Sequence, residues 1–473
     1  MTPIKLIMAD EWRFWKRTRL AVSVIFMGIA LTLVAAIVNT VEMQHATHER
    51  EHLQHTSESR FLEQPDRHPH RMVHYGHYVF RTPAPLSIIE PGVDDYSGSS
   101  IFLEGHKQNT PMFAEQGQAS GMTHFSNLTP SFLLQVIVPL FIILVGYASI
   151  TREKEAGTLN IMLTQGVSLW SLMLGKLFAL AGSGLLMLVP LVIAVIWAAS
   201  NGEALLTSLS FVFGYLVYIL IWSGIVIAAS AMHKRSSASF TTLVGLWIVL
   251  CILTPRIAST GASAIAPTPG KLETDFIVTK ELEKLGNGHN VSDPAFDQLK
   301  QELFSKYNVD KIEDLPFNFR GTAVQIFEEK LTTVLNEFAE QRMAEELNQA
   351  LIARQFGWLS PTTAMRSLSM VIAGSSIETH HRFLREAETL RYDFVQSLNK
   401  IQTDDMTYED DMKGYDDPAS RVESSNWELL STFSFKPDSA STRVARSLPY
   451  AAQLLFWLLL VGLSMRLALR RVS

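Results

Sequence analysis

The feature that most constrains this chain is a set of apolar runs, each about the length that crosses a bilayer core. They lie at about 20–39, 131–150, 177–200, 205–232, 236–254 and 447–465. Each is nearly free of charge and rich in Leu, Ile, Val and Phe. In lipid a segment must satisfy its own backbone, so uncharged runs of this length read as six membrane helices. The run at 205–232 needs tilt or an interfacial end. Pro139 and Pro190 fall inside runs, where neighbouring helices can accommodate them. Composition agrees, with 47% hydrophobic and only 18% charged residues. The single cysteine, Cys251, lies inside an apolar run, so neither a disulfide nor a cysteine metal site can form within one chain. A net charge of −6 argues against a nucleic-acid partner.

Flanking charges set the expected orientation. Lys5, Arg13, Lys16, Arg17 and Arg19 precede the first run, and Arg152, Lys154 and Lys176 lie between the second and third. Lys234 and Arg235 lie between the fourth and fifth, and Arg466, Arg470 and Arg471 follow the sixth. The loop at 201–206 carries Glu203 and no Lys or Arg. The positive-inside rule then predicts both termini in the cytoplasm, with 40–130 and 255–446 outside. The first run is too long for a cleaved signal peptide, and no clear small-residue cleavage site follows it.

The outer segments differ in texture. Residues 40–130 open with a polar helix and continue into Pro, Gly, Ser and His, with short extended pieces such as HYVFRT. Residues 255–446 read as mostly helical, with helical spacing at 271–285, 295–307, 322–356 and 377–401. Ser375 and Ser376 are candidate N-caps for the last of these. The apolar stretch 357–376 is too short to span, and suits a membrane surface or a domain core. Residues 404–417 hold seven acidic residues and read as a solvated linker, because their spacing does not fit an EF-hand.

Thr151–Leu159, TREKEAGTL, follows directly after the second run. Glu153 and Glu155 fall in the first turns of a short helix, Gly157 breaks it, and Thr158 can recap the chain. The residues alone leave two readings open, a solvated loop that fixes topology or a docking element. The order of charges, Gly-Thr-Leu, the amphipathic NIMLTQGVSLWSLMLGK and a further span resembles ABC-2 type exporter permeases. In that family an R-E-x-E-x-G-T-L segment follows the second span and forms the coupling helix that docks on the nucleotide-binding subunit. A Gly-Lys opens the third span. Arg152, Glu153, Glu155, Gly157, Thr158, Leu159, Gly175 and Lys176 match that pattern, while Thr151 stands where an acidic residue is common. PIKLIMADEWRFWKRTR resembles the family's N-terminal connecting helix, with Trp12 and Trp15 as implied membrane-interface anchors. TPRIASTGASAIAPTPGK and the later GWLSPTTAMRSLSMVIAGSS and THHRFLREAETLRYDFVQSLN resemble a subgroup with a large exoplasmic insertion of uncharacterised role.

The resemblance covers nearly the whole chain. It implies a mainly α fold, a polytopic six-helix membrane domain of ABC-2 exporter type carrying a large, mostly helical exoplasmic domain. The expected organisation is 1–39 (connecting helix and first span), 40–130 (His-rich outer segment), 131–254 (spans two to five, coupling helix at 151–168), 255–446 (second outer segment) and 447–473 (sixth span and basic tail). The implied setting is a bacterial inner membrane, in contact with lipid, beside a second permease copy or homologue. The implied function is the permease subunit of an ATP-binding cassette exporter. The chain lacks G-x-x-x-x-G-K-[ST], and its nearest approach, APTPGKL at 266–272, lacks the spaced first Gly and the Ser/Thr. No catalytic residue or cofactor is therefore expected on it, and ATP and Mg belong to partner ATPase subunits. Two rival readings stand beside this one. ATPase strokes could be transmitted to an exoplasmic partner, such as a metalloprotein maturation factor, with no cargo crossing. Alternatively the chain is a membrane-anchored receptor or scaffold with no ATPase.

Histidine is the second signal, with thirteen of fourteen outside the cytoplasm on the expected topology. His45, His48, His52 and His55 share one helical face, and His68, His70, His74 and His77 follow. Imidazoles four apart on a helix can share a transition metal. The same pattern suits a polar helix surface or pH sensitivity.

Overall fold

The computed structural model describes residues 2–112, 128–286, 290 and 293–472. Six helices among the described residues are long and apolar enough to cross a membrane. Helix α1 (Pro3–Thr18) ends at Arg19, whose φ of 58° turns the chain into α2 (Leu20–Leu62). Helix α2 is one piece of 43 residues. At 1.5 Å per residue it is about 65 Å long, roughly twice a bilayer core. The first span and the polar helix expected after it are thus a single rod. The chain then forms α3 (Pro69–Tyr75) and two antiparallel strands, β1 (His77–Phe80) and β2 (Ser100–Leu103), with His77 opposite Leu103.

The second candidate span covers Pro130–Glu155. It passes through a π-helical turn at Leu133–Ile137 into α4 (Val138–Gly146), and ends in α5 (Thr151–Glu155). Helix α6 (Thr158–Thr164) follows. The third apolar run is a broken helix, α7 (Leu169–Met187) and α8 (Val189–Ser200), with Pro190 in the first turn of α8. Helix α9 (Leu205–Met232) is the fourth span. The fifth is α10 (Ser236–Trp247), a π-helical stretch at Ile248–Leu253, and α11 (Thr254–Ile265). The longer helices that follow among the described residues are α12 (Lys271–Glu283), α13 (Asp297–Tyr307), α14 (Phe319–Gln355), α15 (Pro361–Ala373) and α16 (Ile377–Asp404). The last span is α17 (Ala440–Val472), with Pro449 inside it.

Helix α9 lies at the centre of the bundle. It buries Phe211, Tyr215, Tyr218, Ile219, Trp222, Val226 and Ile227 against α4, α7, α15 and α17. Helix α15, the apolar stretch too short to span, belongs to the same core through Ala364, Met365, Leu368, Val371 and Ile372. A π-helical turn shifts carbonyls out of the regular ladder. Side chains from neighbouring helices take them up: the Tyr218 hydroxyl donates to Gln135 O at 2.6 Å, and Ser360 Oγ donates to Leu250 O at 2.5 Å.

The segments outside the bundle fold together as one lobe. Phe61 at the end of α2, Met72 and Val73 of α3, and Phe394, Val395 and Leu398 of α16 share a core with Val422 and Trp427. Val79, Ile101 and Leu103 of the strands pack on Phe383, Ala387 and Phe435. Each of the Val, Leu, Ile, Met and Phe side chains among them contributes about 1.5–3 kcal/mol on full burial. Asp411, within the stretch expected to be a solvated linker, is 1% exposed. Its carboxylate accepts from His68 Nε2 at 2.7 Å, Asn318 Nδ2 at 2.8 Å, Gln402 Nε2 at 2.8 Å and Arg320 at 3.1 Å. His68 Nδ1 accepts the His70 amide at 3.1 Å, which places the proton on Nε2, facing Asp411. Burial pushes the Asp411 carboxyl up, and these donors outweigh it and hold it below the usual range. That acid therefore ties the two halves of the lobe together.

Asp411→Ala orphans these buried donors and should cost about 3 kcal/mol, read as a lower Tm of the purified full chain. Because the folded pKa is depressed, the contribution of Asp411 is complete above the ordinary carboxylate range and fades as pH falls through the folded value. Thermal melts of the native chain should therefore weaken more steeply below about pH 4 than those of Asp411→Asn.

Candidate functional site, a charge clamp where α1, α5 and α7 meet

The site grows out of the break between α5 and α6. Gly157 has φ +71°, a left-handed conformation that favours glycine, and no atom would touch a Cβ placed there. Its role is therefore the turn itself. Beyond it, Leu159 packs into a small core with Ile7 of α1 and Leu172 of α7. At Gly175 a Cβ would come 2.8 Å from Ile7 Cβ, so only glycine lets α1 lie this close to α7.

Four charges meet beside this crossing. Lys176 and Glu11 are each 2% exposed and form an ion pair. Lys176 Nζ is also 3.0 Å from Glu153 Oε1. Arg152 donates to Glu11 Oε1 at 2.8 Å and to Glu153 Oε1 at 3.2 Å, and its guanidinium stacks 3.6 Å over the Phe14 ring. Thr158 Oγ1 donates to Glu153 Oε2 at 2.6 Å. Two cations and two carboxylates thus neutralise one another where water is scarce. Buried charge survives only under such pairing.

The other charges of the segment cap helices. Lys154 Nζ donates to the carbonyls of Ala231 and His233 (3.0 Å to the latter), where the dipole of α9 ends negative. Glu155 accepts from Ser236 N at 2.8 Å and Ser236 Oγ at 2.6 Å, at the positive end of α10. Ser230 Oγ accepts from the amides of Ile150 and Thr151 at 2.9 and 3.2 Å. Most of the charge cluster is therefore turned inward, with Glu155 at its exposed edge, and it joins α1, α5, α7, α9 and α10. Beyond the exposed Glu155–Gly157 turn, α6 presents an exposed face that includes Asn160, Ile161 and Thr164 and continues into Gln165, with Ile161 56% exposed.

The sequence-selected residues Arg152, Glu153, Gly157, Thr158, Leu159, Gly175 and Lys176 thus surround one crossing, and Glu155 faces α10 instead. Two expectations change. Thr158 is not a cap: Gly157 holds the N-cap position of α6, and the Thr158 hydroxyl binds Glu153. Trp15, expected at a membrane interface, is buried in the bundle core and meets Trp12 edge-on at 5.0 Å, while Trp12 is half-buried. Glu11 escaped the sequence reading. Its signal was the four-residue spacing Ile7, Glu11, Trp15, which is the buried stripe of α1.

The four histidines His45, His48, His52 and His55 lie exposed on α2. His45 is near Glu49 at 3.8 Å and His55 near Ser59 at 3.4 Å. Among the described residues, the three imidazoles that converge are His70, His74 and His106.

Glu11→Ala should free α1, because it strips a buried lysine of one carboxylate at a cost of about 3 kcal/mol. The check is limited proteolysis of the purified chain. Cleavage at Lys5, Arg13 and Lys16 should quicken several-fold in Glu11→Ala, whereas Glu155→Ala should leave α1 protected.

Residues 273–436, about a third of the chain, match the family described as a domain of unknown function (DUF3526). The match runs from within α12 to just beyond Phe435, so it covers lobe helices together with α15 of the bundle core, and it contains Asn318, Glu328, Arg391 and Asp411. No curated protein matches the chain.

Proposed function

We propose that this chain is the membrane-spanning permease subunit of an ABC-2 type ATP-driven exporter, with separate ATPase subunits docking on α6 from the cytoplasm. One observation carries the reading. The segment between the second and third spans is clamped by buried charges to several helices, yet α6 keeps an exposed face. A rigid element held this way transmits a push, because displacing α6 displaces α1, α7, α9 and α10 together. The clamp charges set the position of α6, and Ile161 and its neighbours supply the surface a partner grips. ATP and Mg sit on that partner, which supplies the differential binding energy between open and closed states. A second permease copy or homologue completes the assembly, with both termini in the cytoplasm of a bacterial inner membrane and the lobe outside.

A second reading draws on α2. This helix runs unbroken from the clamp end into the lobe core at Phe61. Strokes of the ATPase could then drive work on an outer partner without cargo crossing. Proteoliposome transport by the purified complex separates the two, since movement of a substrate favours export.

Ile161→Asp alters only the exposed face of α6, so the chain should insert and melt normally. Retention of the co-purifying ATPase should fall at least about tenfold, the cost of burying one uncompensated charge in an interface. Glu153→Lys should lose both the ATPase and the protection of α1. Undiminished ATPase retention by Ile161→Asp counts against docking on α6.

A further inference from the structure

We propose that His70, His74 and His106 bind a divalent late transition-metal ion on the lobe. One ligand nitrogen from each lies within 4.8 Å of the other two. His70 Nε2 and His74 Nε2 are 3.2 Å apart. Two nitrogens on a tetrahedral zinc at 2.0–2.1 Å lie about 3.3 Å apart, so this pair is already at chelating distance. The three rings sit with centroids 4.8 to 5.4 Å apart.

The chain goes to some length to bring them together. His70 and His74 lie one turn apart on α3, whose start is fixed by the His68 cap and the buried Asp411. His106 comes from the turn after β2. A Cβ on Gly105 would lie 2.1 Å from Val73 Cγ1, so glycine is what lets that turn close onto α3. The Gly105 amide donates to Val73 O at 3.0 Å. His106 itself has φ +66°, a left-handed conformation uncommon for a residue with a side chain. Strained backbone of this kind is found where function requires it.

A second layer orients the third ligand. His106 Nδ1 is 2.8 Å from Glu328 Oε2, and its backbone amide donates to the same oxygen at 3.3 Å. Glu328 is fully buried and bound by Arg391 at 2.6 Å. Arg391 also holds Glu388 and the Glu104 carbonyl. A carboxylate on one imidazole nitrogen is the arrangement that fixes metal-binding histidines and leaves Nε2 for the ion. Lys107, the nearby cation, is engaged by Glu104 at 2.8 Å.

The donor set defines the ion. Among the described residues the donors are three imidazoles with no thiolate or clustered carboxylate beside them, a set that suits zinc, copper(II), nickel or cobalt(II), and not calcium or magnesium. Three imidazoles from the described residues leave one tetrahedral position for a fourth ligand. His70 is buried and His74 exposed, so the ion has an entry path. The ligands precede the DUF3526 match, and their supports Glu328 and Arg391 lie within it. Binding would therefore stiffen the joint between the two.

The test is zinc titration by calorimetry on the purified full chain, followed by cobalt(II) absorption spectroscopy. The native chain should bind one zinc per chain with micromolar affinity or better. His74→Ala and His106→Ala should each abolish that binding, and Glu328→Gln should weaken it 10- to 100-fold. Because His74 is exposed, its variant should fold, and thermal melts confirm that. A variant with alanine at His45, His48, His52 and His55 should bind as the native chain does. No binding tighter than millimolar in the native chain overturns the proposal, leaving His70 and His74 as an imidazole hydrogen bond. Binding that survives His74→Ala and His106→Ala also overturns it, as does binding lost with the four α2 histidines.

Discussion

The end of the bundle where α1, α5 and α7 meet depends on the pairing of Lys176 with Glu11 and Glu153. An exposed Lys–Glu pair is worth little, but one removed from water decides geometry. Lys176 sits in a membrane-length helix and is nearly inaccessible. Its charge is tolerable there only while a carboxylate from α1 and another from α5 converge on it. Arg152 completes the neutralisation by bridging the same two carboxylates. Three elements far apart in sequence are therefore fixed as a unit. Lys154 and Glu155 extend that unit to the end of α9 and the start of α10.

The lobe repeats the device with two buried acids. Asp411 gathers donors from His68 before α3, from the start of α14 and from α16. Glu328 does the same, taking His106 from one segment and Arg391 from the other. Apolar cores surround both acids, so their hydrogen bonds specify which surfaces meet while hydrophobic burial supplies most of the stability. The clamp and the lobe are connected by α2, which takes part in both the bundle core and the lobe core. Ordered joints at each end of one long helix are what the proposed transmission of motion requires.

The spans were legible because solvation in lipid is a local demand, visible in any window of about twenty residues. The start of the third was missed by eight residues. Helix α7 begins at Leu169 behind the N-cap Ser168, whose hydroxyl accepts from the Ser171 amide, and a polar cap followed by amphipathic sequence reads as loop in a hydropathy window. The lobe helices were legible from their apolar stripes. The buried acids were not. Glu11 meets a lysine 165 positions away, and Asp411 a histidine 343 positions away. Nothing local distinguishes a carboxylate that will find such a partner from one that faces water. The acidic composition around Asp411 pointed to solvent for that reason. Histidine spacing exposed the i, i+4 pairs, yet convergence needs His106, which only the strand pairing delivers.

The central claim is that α6 receives force from an ATPase held against its exposed face. The most direct measurement places a photo-cross-linking amino acid at Ile161 and irradiates native membranes. The account predicts an adduct between this chain and an ATP-hydrolysing polypeptide, with none formed from the same probe at buried Leu159. Adducts from Ile161 to lipid alone, with no ATPase captured, would contradict it.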